Sequence, residues 1–136
     1  MSMPLITKEE IITYLRSAIV GSPIVEISGI YPAEDTTVPY GIYVMDVMTA
    51  RREVNQGSVT YCGAIYNCFD AFNIKFVSFQ DDPNSEDVQG VIQRMAQNTS
   101  FFNGYRDVTY NHDELIGNRS EIHTYNFEMR RIEYNL

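Results

Sequence analysis

The side chains that could perform chemistry are few, and they form no known catalytic pattern. The two histidines, His112 and His123, belong to no His-Glu-x-x-His motif, and the two cysteines, Cys62 and Cys68, form no Cys-x-x-Cys pair. The chain also has no Gly-x-Ser-x-Gly turn and no glycine-rich phosphate loop. A nucleophilic Cys–His pair is supported by nothing in the sequence beyond the presence of these residue types. We therefore expect a protein that is not an enzyme and that uses no catalytic residue, cofactor or metal.

The histidines and cysteines have simpler structural interpretations. His123 falls on the apolar face of an alternating segment, which predicts a hydrogen-bonded histidine in the core or at an interface, whereas His112 lies near a turn and is expected to be exposed. On one strand, Cys62 and Cys68 would be about 20 Å apart. A disulfide needs Cα atoms within about 7 Å, so the pair could bond only across a turn. We expect buried free thiols.

The acidic cluster after Phe79 predicts the start of a helix. Asp81, Asp82, Glu86 and Asp87 lack the alternating ligands and central glycine of an EF-hand loop. Asp82 can instead cap a helix that has Pro83 in its first turn. Apolar residues at helical spacing follow, and we predict a helix over 83–98.

The N-terminal half contains a second helix and a long hairpin. Thr7 and Glu10 fit a capping box, which predicts a helix over 7–21. Residues 24–31 are predicted as a short strand or extended arm, and 32–39 as a loop. The segments 40–54 and 58–79 are predicted as strands of a hairpin with its turn at 55–57. A 22-residue strand would exceed the size of the domain, so we expect a bend or break near 67–71.

The C-terminal segment is predicted to form two more strands. The first covers 105–112, with turn signals at Asp113-Glu114 and Gly117-Asn118. The second covers 120–134, where the alternation changes phase after Arg131, and a bulge near Arg130-Arg131 would explain the change. The element order predicts an α+β fold, a mostly antiparallel sheet with a long hairpin and two helices on one face. The 136 residues suit a single domain over 1–136.

The charge balance limits the classes of partner. Ten basic and eighteen acidic residues give a formal net charge of −8. A protein that binds duplex DNA normally has a basic face, and none is evident. No apolar run approaches ~18 residues, so we expect no membrane-spanning helix. Residues 1–10 lack the pattern of a secretory signal, which favours an intracellular location.

Arginine and tyrosine point to a protein interface on the hairpin. The chain has ten tyrosines, and both residue types are enriched at interfaces. We regard Arg51, Arg52, Glu53, Tyr61 and Tyr66 as interface candidates. An ordinary solvated strand edge with sheet aromatics is an equally good interpretation. Stacking of single-stranded nucleic acid on the aromatic residues is disfavoured by the acidic charge.

The order of segments resembles that of the tail-terminator (tail-completion) proteins of long-tailed bacteriophages. The resemblance covers nearly the whole chain through loose patterns. These are the helix Ile11 to Ile19, the strand start Pro39-Tyr40-Gly41-Ile42-Tyr43-Val44, the strand Phe72 to Phe79, the helix Val88 to Ala96 and the closing strand Tyr125 to Met129.

This resemblance implies a structural virion protein at the head–tail junction, assembled in the host cytoplasm. Such proteins form rings, commonly hexamers, that cap the tail tube, stop its polymerisation and provide the surface that joins the head. The implied partners are other copies of the chain, the tail tube protein and a head-completion or connector protein. DNA would pass through the lumen without specific binding. The alternatives are another head–tail connector or neck protein, or a small cellular α+β domain that binds a ligand or acts as an enzyme.

Overall fold

A computed structural model describes residues 3–19, 27–29, 40–55, 63–117 and 119–135. It contains two helices and six strands. The helices are α1 (Lys8–Ala18) and α2 (Ser85–Met95), and the strands are β1 (Ile27–Ser28), β2 (Gly41–Val44), β3 (Met48–Val54), β4 (Ala64–Phe79), β5 (Arg106–Ile116) and β6 (Ser120–Asn135). All six described strands belong to one sheet, and among their pairings only β1–β2 is parallel. The predicted α+β class is confirmed.

The centre of the sheet is the long antiparallel pair β4 and β6. Its register is continuous over sixteen residue pairs, from Ala64 opposite Asn135 to Phe79 opposite Ser120. At the usual rise per residue this pair extends about 53 Å. One edge of β4 serves two partners in succession, since β2 pairs with residues 74–77 and β3 pairs with residues 66–71. β5 pairs with the other edge of β6.

The apolar core occupies one half of this long sheet. Helix α1 buries Ile11 and Leu15, and α2 buries Val88, Ile92 and Met95. They belong to one cluster with alternate residues of β2, β4 and β6, so both helices pack on one face of the sheet. On that face Phe72 and Phe127 stack with ring centroids 4.8 Å apart. Burial of these side chains is the main contribution to the stability of this half.

The ends of the helices agree with the sequence to different degrees. The Thr7–Glu10 capping box is present, and α1 ends at Ala18, before the predicted limit. Helix α2 begins at Ser85 and ends at Met95, inside the predicted range of 83–98, and Asp82 does not cap it. One Asp82 oxygen instead accepts a hydrogen bond from the Asn84 N–H at 2.9 Å, and the other accepts one from the Tyr40 hydroxyl. Asp82 therefore stabilises the turn that precedes the helix.

Two predicted irregularities, a break in β4 and a bulge in β6, are absent from the described strands. No break occurs within 67–71, because β4 remains paired with β6 throughout and the strand continues past the apolar core. No bulge occurs at Arg130-Arg131, because the buried face of β6 continues through Arg131. The phase change in the sequence marks a charged residue at a buried position. The register irregularities lie instead between Thr49 and Arg51 in β3 and between Arg106 and Thr109 in β5.

The turn predicted at Asp113-Glu114 is also wrong. Strand β5 continues to Ile116, and the Gly117 N–H donates to the Ser120 carbonyl at 2.8 Å, so the chain leaves the strand at Gly117; Asn118 lies outside the described residues. The prediction of a buried free thiol is confirmed for Cys68. Other predictions, the loop 32–39, the centre of the hairpin turn at 56–57, and the states of Tyr61 and Cys62, lie outside the described residues.

Candidate subunit interface

The candidate interface residues lie on the half of the sheet that extends past the apolar core. We call this part the sheet extension; it consists of β3, residues 64–71 of β4 and residues 128–135 of β6. The apolar cluster ends at Phe72 on β4, and on β6 it reaches into the start of the extension with Met129. Within the extension, every residue of β3 is exposed, and β3 pairs with β4 alone among the described strands. β3 is therefore a solvent-facing edge strand.

Arg51 and Arg52 are neighbours in sequence but lie on opposite faces of the extension. Arg51 is opposite Phe69 and Arg52 is opposite Cys68, and these two residues of β4 alternate between the faces. The Arg52 face is continuous with the helix-covered face, because Cys68 lies on the same buried side of β4 as Asp70 and Phe72. A single flat partner surface cannot contact both guanidinium groups.

Arg51 lies on the outer face, away from the helices. Its guanidinium carbon is 3.8 Å from the centroid of the Phe69 ring. Its nitrogens are 3.2 Å from a Glu53 oxygen and 3.5 Å from a Glu128 oxygen. All three charged side chains are at least half exposed, so these ion pairs contribute little to folding. The Arg51 charge is therefore accessible to a partner.

Arg52 is held more firmly within the chain. Its guanidinium carbon lies 3.4 Å from the centroid of the half-buried Tyr66 ring, and it donates to Glu133 at 2.8 Å. The second Glu133 oxygen accepts from the Cys68 thiol at 3.4 Å. Burial raises the pKa of Cys68, and its hydrogen bond to Glu133 raises that pKa further, so the thiol stays protonated. Cys68 is thus a hydrogen-bond donor and poorly suited to be a nucleophile.

A buried ion pair joins the extension to the apolar core. Asp70 on β4 and Arg131 on β6 are both buried, and Arg131 Nε donates to Asp70 at 2.7 Å. The Tyr105 hydroxyl donates to the same carboxylate oxygen at 2.6 Å, and the Thr49 hydroxyl donates to the other at 2.7 Å. Burial opposes the charged form of Arg131, yet Asp70 raises its pKa overall. The carboxylate is therefore fully hydrogen-bonded, as a buried charge requires.

The structure places four of the five predicted site residues together. Arg51, Arg52, Glu53 and Tyr66 lie on the extension, in contacts within the chain. Their spacing along adjacent strands agrees with an interface and also with a charged edge that resists unwanted strand pairing. Tyr61 lies outside the described residues.

A second polar cluster, which the sequence analysis did not identify, lies between β5 and β6. His123 is buried and hydrogen-bonded, as predicted, but its neighbour is His112, with His112 Nε2 2.9 Å from His123 Nδ1. The expectation of an exposed His112 is wrong, because its ring is half-buried against Tyr125 at a centroid distance of 4.3 Å. Burial lowers the pKa of His112, and His123 lowers it further, which favours a neutral imidazole. With Glu114, these residues could hold a metal ion.

Comparison with known proteins leaves the family open. No protein-family model matches the chain, and a search of curated proteins finds no match. Among the described residues, neither helix has the length and apolar character needed to cross a bilayer.

Proposed function

We propose that the chain is a structural virion protein that forms a ring, caps the tail tube of a long-tailed phage and provides the surface for head joining. The single observation that carries the proposal is the extension, which presents an exposed edge strand, β3, outside the apolar core. The order of the observed elements also agrees with the resemblance to tail terminators. The proposal includes no catalytic role.

The sheet has the two different surfaces that a head-to-tail ring needs. β3 is an edge on the β4 side, and β5 is the edge on the β6 side, each paired with one strand among those described. Both edges expose large apolar side chains: Met48 and Val54 on β3, and Leu115 and Ile116 on β5. A contact between unlike surfaces, repeated about an axis, closes into a ring when the rotation permits. Burial of these apolar groups would favour that contact.

The charge agrees with the remaining partners implied by the resemblance. A net charge of −8 disfavours tight binding to phosphates, which suits a ring through which DNA passes without specific binding. The tail tube protein would contact one side of the ring, and a head-completion or connector protein the other. The location proposed for the protein is therefore the head–tail junction of the virion.

The test combines the solution mass with a charge reversal. Light scattering on a sizing column, across protein concentrations and with added polymerised tube protein of the same phage, should detect a closed oligomer of about six subunits. Arg51→Glu should weaken this assembly and leave the monomer folded, since the ion pairs of Arg51 are exposed. Arg94→Glu is the matched control, because Arg94 is exposed on α2 and lies on neither edge strand.

Two results would count against the proposal. A wild-type chain that stays monomeric at every concentration and does not bind tubes would remove the ring, and would favour the cellular alternatives. Equal assembly of the Arg51→Glu and Arg94→Glu variants would refute the role of Arg51 and favour the interpretation of β3 as a solvated edge.

A further inference from the structure

Three side chains with metal-binding atoms converge near the end of the β5–β6 hairpin. His112 and Glu114 are two residues apart on β5, so they lie on the same face of the sheet. His123 on β6 is directly opposite Glu114. His123 Nδ1 lies 2.9 Å from His112 Nε2 and 3.4 Å from Glu114 Oε1, and one ligand atom from each residue falls within 4.8 Å of the others.

The two separations from His123 Nδ1 are close to those between neighbouring ligands of a tetrahedral ion. Zinc binds imidazole nitrogen and carboxylate oxygen at about 2.0–2.2 Å, which puts neighbouring tetrahedral ligand atoms about 3.3 Å apart. The two separations from His123 Nδ1 lie on either side of that value. The Glu114 side chain is 48% exposed, so it can rotate to complete the set without disturbing the core.

The far side of His123 supplies an independent argument for a ligand. Its Nε2 atom lies 3.1 Å from a Glu121 carboxylate oxygen and 3.4 Å from the Gln89 side-chain nitrogen. A carboxylate at one ring nitrogen favours the tautomer with the proton there, and the lone pair of the other nitrogen then points at the ligand site. Histidines that bind metals commonly have such a partner. His123 is 1% exposed, so its ring orientation is fixed by packing.

We propose that His112, Glu114 and His123 bind one divalent transition-metal ion, best matched by Zn²⁺, and that Glu121 orients His123. Two imidazoles and a carboxylate suit zinc, whereas calcium and magnesium prefer oxygen ligands throughout. All three ligands belong to one hairpin, so the ion ties β5 to β6 close to their turn. Among the described residues no fourth ligand atom joins this group, so water or a group from another molecule would take the fourth position. This inference is independent of the proposed ring.

The experiment is a calorimetric titration of ZnCl₂ into the untagged full chain after treatment with a chelator. The expected result is saturable binding of one ion per chain. Replacement of a ligand in His112→Gln or Glu114→Gln should weaken binding by at least about tenfold, and Glu121→Gln by about 10–100-fold. Asp113→Asn is the matched control, because Asp113 is an exposed carboxylate next to Glu114 on the opposite face of β5, and its affinity should equal that of the wild type. Co²⁺ in place of Zn²⁺ should give the visible absorption of a tetrahedral site.

Circular dichroism of the metal-free variants checks that each is folded. Glu114→Gln is the deciding variant, because Glu114 is exposed and its loss should leave the fold intact even if His112→Gln does not fold. Wild-type affinity in a folded Glu114→Gln variant would overturn the proposal. So would a wild-type chain without saturable binding at one ion per chain.

Discussion

Two adjacent arginines provide a direct comparison of a buried and an exposed ion pair. Arg131 and Arg130 each lie 2.7 Å from an aspartate oxygen, of Asp70 and Asp107 respectively. The Arg131 and Asp70 side chains are 4% and 0% exposed, whereas those of Arg130 and Asp107 are 28% and 67% exposed. The residue type and the shortest distance are therefore matched, whereas the pairs differ in burial and in the additional hydrogen bonds that Asp70 accepts.

The expected costs of removing the two arginines differ several-fold. Arg131→Met leaves the Asp70 carboxylate buried without its cation, which typically costs about 3–5 kcal/mol. Arg130→Met removes a surface pair, and such pairs contribute about 0.2–1 kcal/mol. Methionine retains much of the arginine stem, so lost packing contributes little to the difference. Because a domain is stable by only about 5–15 kcal/mol, the Arg131 variant should be close to the limit of folding.

Urea unfolding followed by circular dichroism measures both free energies of unfolding. The Arg131→Met midpoint should fall far below that of Arg130→Met, with similar slopes. The double variant Asp70→Asn/Arg131→Met should be less destabilised than the sum of its single variants, because neither charge is then left alone. Equal losses for Arg130→Met and Arg131→Met would refute the argument that burial determines the value of the pair.

Two further predictions concern local structure. Gly104 has φ +91°, and a Cβ added there would lie 2.8 Å from Leu5 Cδ1, so Gly104→Ala should lower the thermal midpoint. A Cβ added at Gly90 in α2 meets the flexible end of the Arg94 side chain, so Gly90→Ala should raise the free energy of unfolding by about 0.5–1 kcal/mol. A thermal melt in which Gly104→Ala is the more stable of the two variants would contradict this. The hydrogen bond from the Tyr40 hydroxyl and, second to it, the one from the Asn84 N–H lower the pKa of Asp82 below its ordinary value of 3.8. The stability that these hydrogen bonds give the folded chain is therefore present above that pH and is lost as the pH falls through the folded pKa. Tyr40→Phe should raise the pKa of Asp82 measured by NMR titration and should cost less stability in acid than at neutral pH; an unchanged pKa would disprove the link.

The fold class could be predicted because its signals are local. The capping box at Thr7 and the alternation from His123 to Met129 depend on residues within one element, and both are present in the structure. The continuity of β4 could not be predicted, because it depends on β2 and β3 sharing one edge of a strand longer than the core. The burial of Arg131 could not be predicted either, because its partner, Asp70, is 61 residues away in sequence.

The sequence did not predict the histidine cluster, because the predicted strand ends at His112 whereas β5 continues to Ile116. With its turn at Asp113-Glu114, the hairpin would leave Glu114 outside the strand. The other predicted turn, at Gly117, would have extended β5 and brought Glu114 opposite His123, as the structure does. The positions of the His112 and His123 rings, however, also depend on contacts with Gln89 of α2 and Tyr125 of β6, which no sequence pattern identifies.

The two faces of the extension imply different roles for its two arginines in the proposed ring. Arg52 contacts Tyr66 and Glu133, and Glu133 also accepts from Cys68, so a partner would have to replace several contacts to bind it. Among the described residues, Arg51 contacts two exposed carboxylates and one ring face, and exchanging these for a partner's groups costs little. The buried Asp70–Arg131 pair fixes the strands beneath both. We therefore expect the residues that select the neighbouring subunit to lie on the outer face with Arg51, while Arg52 holds the edge strand β3 in position.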